Sequence, residues 1–258
     1  IGADPELFLK NIEGKLISSV GLIGGSKDKP RIISPAGHAV QEDNVSVEFN
    51  IPPADNCKEF LNHMEFVMDY LRVQAKSMNL SFAEYVAAAS FDEDQLQTPE
   101  ALVFGCEPDF NAYTMDVNPK PTCEDKNLRS CGGHVHVGTK HDPIHVVKAM
   151  DIYLGVPSLK LDPDKQRRKL YGKAGAFRFK SYGVEYRTLS NFWIWSKELQ
   201  EWVFKQTNKA LEHIEGLGQG NWNTNWDDII RGLINGNFTE KDHNVYMRKF
   251  QEYHPYVA

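Results

Sequence analysis

Residues 44–51, NVSVEFNI, alternate polar and apolar side chains without a break. Because successive side chains of a β-strand point to opposite faces, this stretch predicts a strand with one apolar and one polar face. The same alternation recurs in GADPELFL (2–9), GGHVHVG (132–138), AFRFKSY (176–182) and GVEYRTL (183–189). The apolar positions, among them Val135, Val137, Phe177 and Phe179, are expected to face the core. The polar positions carry carboxylates, imidazoles and guanidinium groups, which suit a cation and a phosphate, so they predict the floor of an active site.

The composition is that of an ordinary globular protein, with 258 residues, 41% apolar, 25% charged and a net charge of −6. This charge gives no reason to expect nucleic-acid or membrane binding, and no apolar run approaches the ~20 residues of a membrane span. The four cysteines lack C-x-x-C spacing, which argues against structural zinc and fits free thiols, with a Cys123–Cys131 pair as the alternative. The opening residues, IGADPELF, do not resemble a signal peptide. We therefore expect a cytoplasmic protein.

The order of the remaining elements indicates the fold class. Pro52-Pro53 ends the strand at 44–51, and Asp55 is the expected N-cap of a helix that runs to about residue 79. Strands and helices do not alternate further along as they would in a doubly wound parallel sheet, and no linker divides the chain. We predict one α+β domain over residues 1–258, with a largely antiparallel sheet. Pro5 cannot donate a hydrogen bond within a sheet, so its strand is expected at an edge or with its amide side open.

Two pairs of acids are candidates for metal ligands. Asp4 and Glu6 share one face of a strand, and two neighbouring carboxylates repel each other unless a cation lies between them. Glu42 and Glu48 are six residues apart, so a continuous strand would place both on one face. The alternative for each pair is a polar sheet face with solvated carboxylates.

His134 and His136 also share a face, where an H-x-H pair can place two imidazole nitrogens near one metal ion. Glycines on both sides of the pair allow a ligand to approach the backbone closely. A structural pair of histidines is the alternative reading. Asp109 and Glu107 are further candidate ligands in a segment that could equally be a turn.

Residues 165–180 contain seven basic side chains and no acidic one, which is a local field suited to phosphate. For Lys165–Lys169 the alternative is a solvated basic helix end. Arg178 lies between two phenylalanines on a strand and is expected to point to the polar face. Glu185 and Arg187 share a face as well, either as site residues or as a structural ion pair.

These motifs, in this order, resemble the glutamine synthetase and glutamate–cysteine ligase superfamily of carboxylate–amine ligases. The first strand, the acidic pair at 42 and 48, the GGHVHVG strand and the late E-x-R strand each resemble one of its motifs. The amino-acid sequences of four of these motifs are most similar to the phage-type branch called COOH–NH2 ligase type 2. They are GADPE, EDNVSVEFN, GGHVHVG and GVEYRTLSNFW. The resemblance implies a curved, half-barrel sheet with a polar catalytic face and with helices packed on its other face.

The resemblance also implies an activity, an ATP-dependent carbon–nitrogen ligase. Members form an acyl phosphate from ATP and a carboxylate, with two or three Mg²⁺ or Mn²⁺ ions, and an amine then displaces phosphate to give an amide. One ion would be held by Glu6, Glu42 and Glu48, and the other by Asp4, His134 and Glu185. The catalytic residues would be Arg178, Arg187 and Glu185, and the ATP phosphates would contact Lys173, Arg178, Lys180 and Arg187. The substrate would contact His136, Asn50 and Glu107.

Three departures from the superfamily are visible. Asp4 replaces the usual glutamate, the spacing of Glu42 and Glu48 differs by a couple of residues, and no counterpart of the N-terminal domain of glutamine synthetase is present. The mostly oxygen ligand set favours Mg²⁺ or Mn²⁺ over zinc on chemical grounds alone.

Other functions stay open at this point. A metal-dependent hydrolase could use the His-x-His and carboxylate cluster, and a non-catalytic metal- or nucleotide-binding domain could keep the same sheet. Phosphorylation of a guanidinium group is a related activity of the superfamily. The carboxylate and amine could belong to an amino acid, a peptide, a protein terminus or a modified nucleobase. A phage-encoded enzyme would work in the host cytoplasm.

Overall fold

The computed structural model describes residues 1–102, 109–217 and 222–253. The strands are β1 (Gly2–Ala3), β2 (Glu6–Leu7), β3 (Leu9–Lys10), β4 (Leu16–Ile17), β5 (Arg31–Ile32), β6 (Ala39–Asp43), β7 (Ser46–Asn50), β8 (Ser81–Phe82), β9 (Ala88–Ser90), β10 (Phe110–Asn111), β11 (Leu128–Ser130), β12 (Val135–Gly138), β13 (Ala176–Lys180) and β14 (Gly183–Tyr186). The helices are α1 (Cys57–Ser77), α2 (Pro99–Leu102), α3 (Pro143–Met150), α4 (Val156–Leu161), α5 (Arg167–Leu170), α6 (Lys197–Leu217), α7 (Asp227–Asn235) and α8 (Glu240–Tyr253). A π-helical turn, Asp151–Gly155, joins α3 to α4, and 3₁₀ turns cover Glu93–Gln95, Asn191–Trp195 and Thr224–Trp226.

The first segment of the chain joins two sheets, with strand orders β1-β12-β14-β13-β10 and β2-β7-β6-β5. On one side of it, the Ile51 amide donates to the Ala3 carbonyl at 3.1 Å. On the other side, the Glu6 amide donates to the Gly132 carbonyl at 2.9 Å. The expectation of an edge or open strand at Pro5 was therefore wrong, because this segment is paired on both sides and the proline only interrupts the ladder. Every strand pair in these two sheets is antiparallel, which confirms the α+β prediction.

The apolar face of the sheet packs on helices. α3 lies against β13 and β14, and α6 lies against both α1 and α3. Val135, Val137 and Phe177 are buried in this core, as their alternation predicted. Phe179 is 52% exposed, so the expectation that it faces the core was wrong. It shares the face of Phe177 but lies further along β13, where it stacks edge-on against Phe110 instead of under a helix.

The long helix α1 begins one residue later than predicted. Its N-cap is Asn56 rather than Asp55, because the Asn56 side chain accepts a hydrogen bond from the Glu59 amide at 3.0 Å. The buried stripe of α1 follows helical spacing, and Phe60 from this stripe stacks against Trp193 at 6.1 Å between ring centroids. None of the helices in the described ranges is both long and apolar enough to cross a bilayer.

Candidate active site

The polar face of the joined sheet forms a cavity of about 250 Å³. Its lining comprises Asp4, Glu6, Lys27, Pro30, Gln41, Asp43, Glu48, Asn50, His134, Arg178, Lys180, Glu185 and Arg187. The strand register explains why these residues lie together. Glu6 lies opposite Glu48, and Glu185 lies opposite both His136 and Arg178. Residues opposite each other on neighbouring strands share a face. Residues distant in sequence therefore meet in one cavity, as the alternating pattern predicted.

Three carboxylates form the first metal-capable group: Glu6, Asp43 and Glu48 offer oxygens that all lie within 4.8 Å of one another. Burial, followed by the charge of Asp43, raises the pKa of Glu6 to about 7, although the Gly132 amide donates to its carboxylate. Burial, followed by the charges of Asp4 and Glu6, raises the pKa of Glu48 well above its usual value. Such buried like charges are costly without a cation, so this group fits a bound divalent ion.

Glu42 is not part of this group, and the expectation that it shares a face with Glu48 was wrong. β6 and β7 form a hairpin in which Glu48 lies opposite Gln41 while Glu42 lies opposite Val47. The turn reverses the chain, so an even separation along the sequence does not mean the same face. The Glu42 carboxylate instead accepts hydrogen bonds from the amides of Gly21, Ile23 and Gly24 at 2.9, 2.8 and 2.6 Å.

We expect Glu42→Gln to destabilise the fold without affecting metal binding. An amide side chain cannot accept all three of these backbone hydrogen bonds, and losing charge-assisted bonds should cost about 1–3 kcal/mol. Urea unfolding in EDTA measures the stability, and calorimetric titration with Mn²⁺ measures the binding. A stable variant with impaired Mn²⁺ binding would show instead that Glu42 is a metal ligand.

The second metal-capable group is Asp4, His136 and Glu185. Asp4 Oδ1 lies 2.9 Å from His136 Nε2 and 3.3 Å from His134 Nδ1. Burial raises the pKa of Asp4, but the two histidines outweigh it and bring this pKa below its usual value. His134, the histidine expected to bind metal, is not a member of this group, but it is buried and its Nδ1 lies 3.8 Å from Glu185 Oε1. Burial, assisted by Arg187, lowers the pKa of His134 to about 4, so its ring is neutral and able to coordinate a cation.

Three basic side chains surround Glu185. Lys180 Nζ lies 2.6 Å from Glu185 Oε2, Arg178 Nη1 lies 3.8 Å from Oε1, and Arg187 Nη1 donates to Oε1. Burial and Asp4 raise the pKa of Glu185, but Arg187, His134 and Lys180 outweigh them and hold it at about 2. The second group therefore has internal charge compensation, and the first group is the stronger candidate for metal. Arg178, Lys180 and Arg187 reach the cavity as the sequence predicted.

The other predicted residues are distributed around this centre. Asn50 lines the cavity beside Gln41, whose side chain accepts from its amide at 3.4 Å. Lys173 lines a neighbouring cavity instead of the metal-capable one. His136, predicted as a substrate residue, belongs to the second metal-capable group. Glu107 lies outside the described residues, whereas Asp109 Oδ2 lies 3.6 Å from Arg187 Nε.

The basic cluster at 165–169 is largely structural. Arg167 is only 5% exposed, and its guanidinium donates to the carbonyls of Thr188 and Arg187 at 3.4 Å each. Arg168 donates to the Ser158 hydroxyl at 3.1 Å and lies 3.6 Å from Asp162. A solvated helix end does not describe these two arginines, since their charges face backbone and side-chain oxygens beneath the surface.

Asp43, Gln41 and Lys27 are cavity residues that the sequence patterns did not single out. A signal for Asp43 was present, because Asp43-Asn44 is a dipeptide typical of tight turns. Asn44 indeed adopts a positive φ of 62°. Recognising the hairpin would have placed Asp43, and not Glu42, beside Glu48. Lys27 lies in an irregular loop, for which periodicity offers no guide.

The comparison with protein families points to a carboxylate–amine ligase. Residues 125–230 match the family model described as phage phiEco32-like COOH.NH2 ligase-type 2. This match supports the family that the motifs resemble, and it includes the GGHVHVG and GVEYRTL strands while leaving the acidic strands at 2–9 and 41–53 outside. The name of the family implies the joining of a carboxylate to an amine. No curated protein and no solved structure matches the chain.

Proposed function

We propose that this chain is an ATP- and divalent-metal-dependent ligase that forms an amide through an acyl phosphate. The observation that supports this most is the meeting, in one cavity, of a buried carboxylate group with three phosphate-suited cations. The carboxylates are Glu6, Asp43 and Glu48, and the cations are Arg178, Lys180 and Arg187. Phosphoryl transfer depends chiefly on positioning and charge stabilisation, which such a set provides.

The residues that would hold a metal ion follow from the two groups. Glu6, Asp43 and Glu48 would bind the first ion, and Asp4, His136 and Glu185 fit a second ion less well because their charges are already compensated. Oxygen-rich ligands of this kind suit Mg²⁺ or Mn²⁺. When bound, such an ion would neutralise part of the negative charge of the phosphates.

The basic residues have separable roles in this proposal. Arg178 and Lys180 are two residues apart on β13 and share one face, so both can meet phosphate oxygens of ATP. Arg187 lies beside Glu185 and Asp109, where its planar guanidinium can contact the phosphoryl group passing from ATP to the carboxylate. Glu185, buried between the three cations, fixes their positions.

The bonds formed and broken balance without a further reactant. A carboxylate oxygen of the substrate attacks the γ-phosphorus atom, and the bond to ADP breaks. The amine nitrogen then attacks the acyl carbon, phosphate leaves with the bonding electrons, and the amine loses a proton. The products are an amide, ADP and inorganic phosphate.

We predict that the protein binds a non-hydrolysable ATP analogue, AMPPNP, only with a divalent cation. Calorimetric titration with Mg²⁺, with Mn²⁺ and with EDTA measures this directly. Buried carboxylates would repel the triphosphate in the absence of metal, so binding in EDTA should be undetectable. Equal affinity with and without EDTA would contradict the role of the carboxylate group.

Release of ADP in the presence of metabolite mixtures then tests the ligase reaction itself. A ligase should release ADP only when a suitable carboxylate and amine are both present. The metal-dependent hydrolase predicts turnover without nucleotide, and a non-catalytic binding domain predicts no ADP with any mixture. ADP release therefore separates the ligase from the other two functions, and metal-dependent hydrolysis without nucleotide separates those two from each other.

A further inference from the structure

A second cavity, of about 450 Å³, lies beside the metal-capable one. Residues 118–122 and 169–173 form much of its wall, and Asp109 and Arg187 complete it. Arg187 lines both cavities, so the two meet at this side chain. The volume is large enough for a small organic molecule, since ligand cavities begin at about 300 Å³.

The wall of the second cavity is strongly cationic. It carries Lys120, Lys169 and Lys173 in addition to Arg187. Within residues 1–102, 109–217 and 222–253, the three lysine ammonium groups make no ion pair or hydrogen bond. The acid in this wall, Asp109, already accepts from the Asn118 side chain at 2.9 Å and lies close to Arg187. Lys173 is partly buried and Lys120 and Lys169 are exposed, so the wall of the cavity carries positive charge that no carboxylate of the described residues pairs with.

Among the three lysines, Lys173 gives the most specific indication of an anion-binding site. Its ammonium group is half buried, and burial, followed by the charge of Arg168, lowers its pKa. A partly desolvated cation beside another cation is unfavourable unless an anion approaches it. Gly172 gives this loop its shape, because it has a φ of 67° and its missing side chain leaves room for the Thr188 carbonyl and Arg167. The loop thus holds Lys173 against the cavity.

The position of the carboxylates decides which reactant this cavity suits. The metal-capable residues Glu6, Asp43 and Glu48 line the first cavity and not the second. A metal-bound triphosphate therefore belongs in the first cavity. Ala176 in the second cavity and Arg178 in the first lie two residues apart on β13, so a single sheet face connects both. A molecule in the second cavity can extend its reacting group along this face to the phosphate at Arg187.

We propose that the second cavity binds the organic substrate by an anionic group, a carboxylate or a phosphate, that is separate from the group that reacts. Lys120, Lys169 and Lys173 hold this anion, and Pro119 and Tyr171 contact the carbon skeleton. This inference rests on the proposed ligase function, because that function places the nucleotide in the first cavity. It narrows the substrate to acidic compounds, such as amino acids or peptides with a free carboxylate beside the reacting one.

Pyridoxal 5′-phosphate is a suitable probe, because its aldehyde condenses with a lysine amine and its phosphate requires a cationic site. Borohydride reduces the imine to a stable secondary amine, and peptide mass spectrometry then locates it. We expect Lys173 to react about 10-fold faster than the exposed Lys58 of α1, since a cationic cavity concentrates anions. Pyridoxal, which lacks the phosphate, should show a much smaller preference, because only the lowered pKa of Lys173 then favours its reaction.

Competition identifies the ligand class. A tricarboxylate, citrate, should protect Lys173 from labelling, whereas saturating Mg²⁺–AMPPNP should leave its labelling unchanged. Lys120→Ala and Lys169→Ala should each slow labelling of Lys173 several-fold, and Lys58→Ala should not. Thermal unfolding of each variant confirms that it is folded.

The other outcomes overturn the inference. Labelling of Lys173 at the rate of Lys58, or a lack of protection by citrate, would show that the cavity does not hold anions. Protection by Mg²⁺–AMPPNP would show that the cavity contains the nucleotide, which refutes the inference and leaves the ligase proposal intact. Failure of the ligase proposal is recognised separately, because no mixture of carboxylates and amines would then release ADP, whatever the labelling of Lys173 shows.

Discussion

Replacing Glu48 by glutamine is expected to abolish ligase turnover while leaving the metal-free protein at least as stable as the wild type. Glu48 lies opposite Glu6 in the sheet and within the group that includes Asp43. Loss of a metal ligand removes several kcal/mol of charge stabilisation, and each 1.36 kcal/mol is tenfold in rate, so turnover should fall by at least ~10²-fold. ADP release under conditions that support wild-type turnover measures this effect.

The expected gain in stability follows from the raised pKa of Glu48. Burial, together with Asp4 and Glu6, makes the folded protein hold a proton on this carboxyl more tightly than the unfolded chain does. Ionisation above the ordinary carboxyl pKa therefore lowers the free energy of unfolding as the pH rises. Glutamine carries no charge, so Glu48→Gln in EDTA at pH 8 should melt at the same temperature as the wild type or above it.

With a bound metal ion, the wild type should melt at a higher temperature than Glu48→Gln. Saturating Mn²⁺ at about 100 times its dissociation constant would stabilise the wild type by about 2.7 kcal/mol, and the variant should lose most of this gain. Glu42→Gln is a matched control, since it changes a neighbouring glutamate that faces away from the cavity. A Glu48→Gln variant with wild-type turnover and an unchanged response to Mn²⁺ would show that Glu48 is a sheet-face acid without a role in the site.

The alternation of polar and apolar residues predicted the sheet faces because each strand obeys one local rule. Val135 and Val137 are buried while His134 lines the cavity, and the same rule placed Glu185 and Arg178 on the polar face. Such a rule requires no knowledge of distant contacts. The strands and much of the candidate site could therefore be predicted from the sequence.

The errors arose where the local rule does not apply. Glu42 and Glu48 are an even number of residues apart, but a hairpin turn lies between them. The even separation therefore does not place their side chains on the same face of the sheet. Pro5 was expected at an edge, yet its segment is paired on both sides by strands more than forty residues away in the sequence. Phe179 is exposed near the end of β13, and periodicity within a strand does not show which of its positions other elements cover.

The burial of Arg167 illustrates a further limit. Charged runs are usually solvated, but this arginine satisfies its guanidinium with the carbonyls of Thr188 and Arg187. These acceptors lie twenty or more residues ahead in the sequence, so composition alone could not reveal them. The sequence identified the positive charge of this segment but not the structural use of its arginines.

Arg187→Lys is expected to lower kcat by about 10²-fold or more, because lysine cannot reproduce the planar, two-pronged contact of a guanidinium with phosphate oxygens. Arg187 contacts Glu185 and Asp109 and lines both cavities, so in the proposed reaction it would contact the phosphoryl group that passes between the reactants. Its positive charge is retained in the variant, and the binding of Mg²⁺–AMPPNP should therefore weaken far less than kcat.

A matched control for this prediction is Arg129→Lys. Arg129 is also buried, but it donates to the carbonyls of Ala101, Lys126 and Leu128 and lines neither cavity. This variant should lose stability and keep the kcat of the fraction that remains folded. Steady-state ADP release gives kcat and KM for both variants, and thermal unfolding gives their stability. If Arg187→Lys kept wild-type kcat, the guanidinium fork would have no part in phosphoryl transfer, and stabilisation of the transferring charge would have to come from Arg178 and Lys180 on β13.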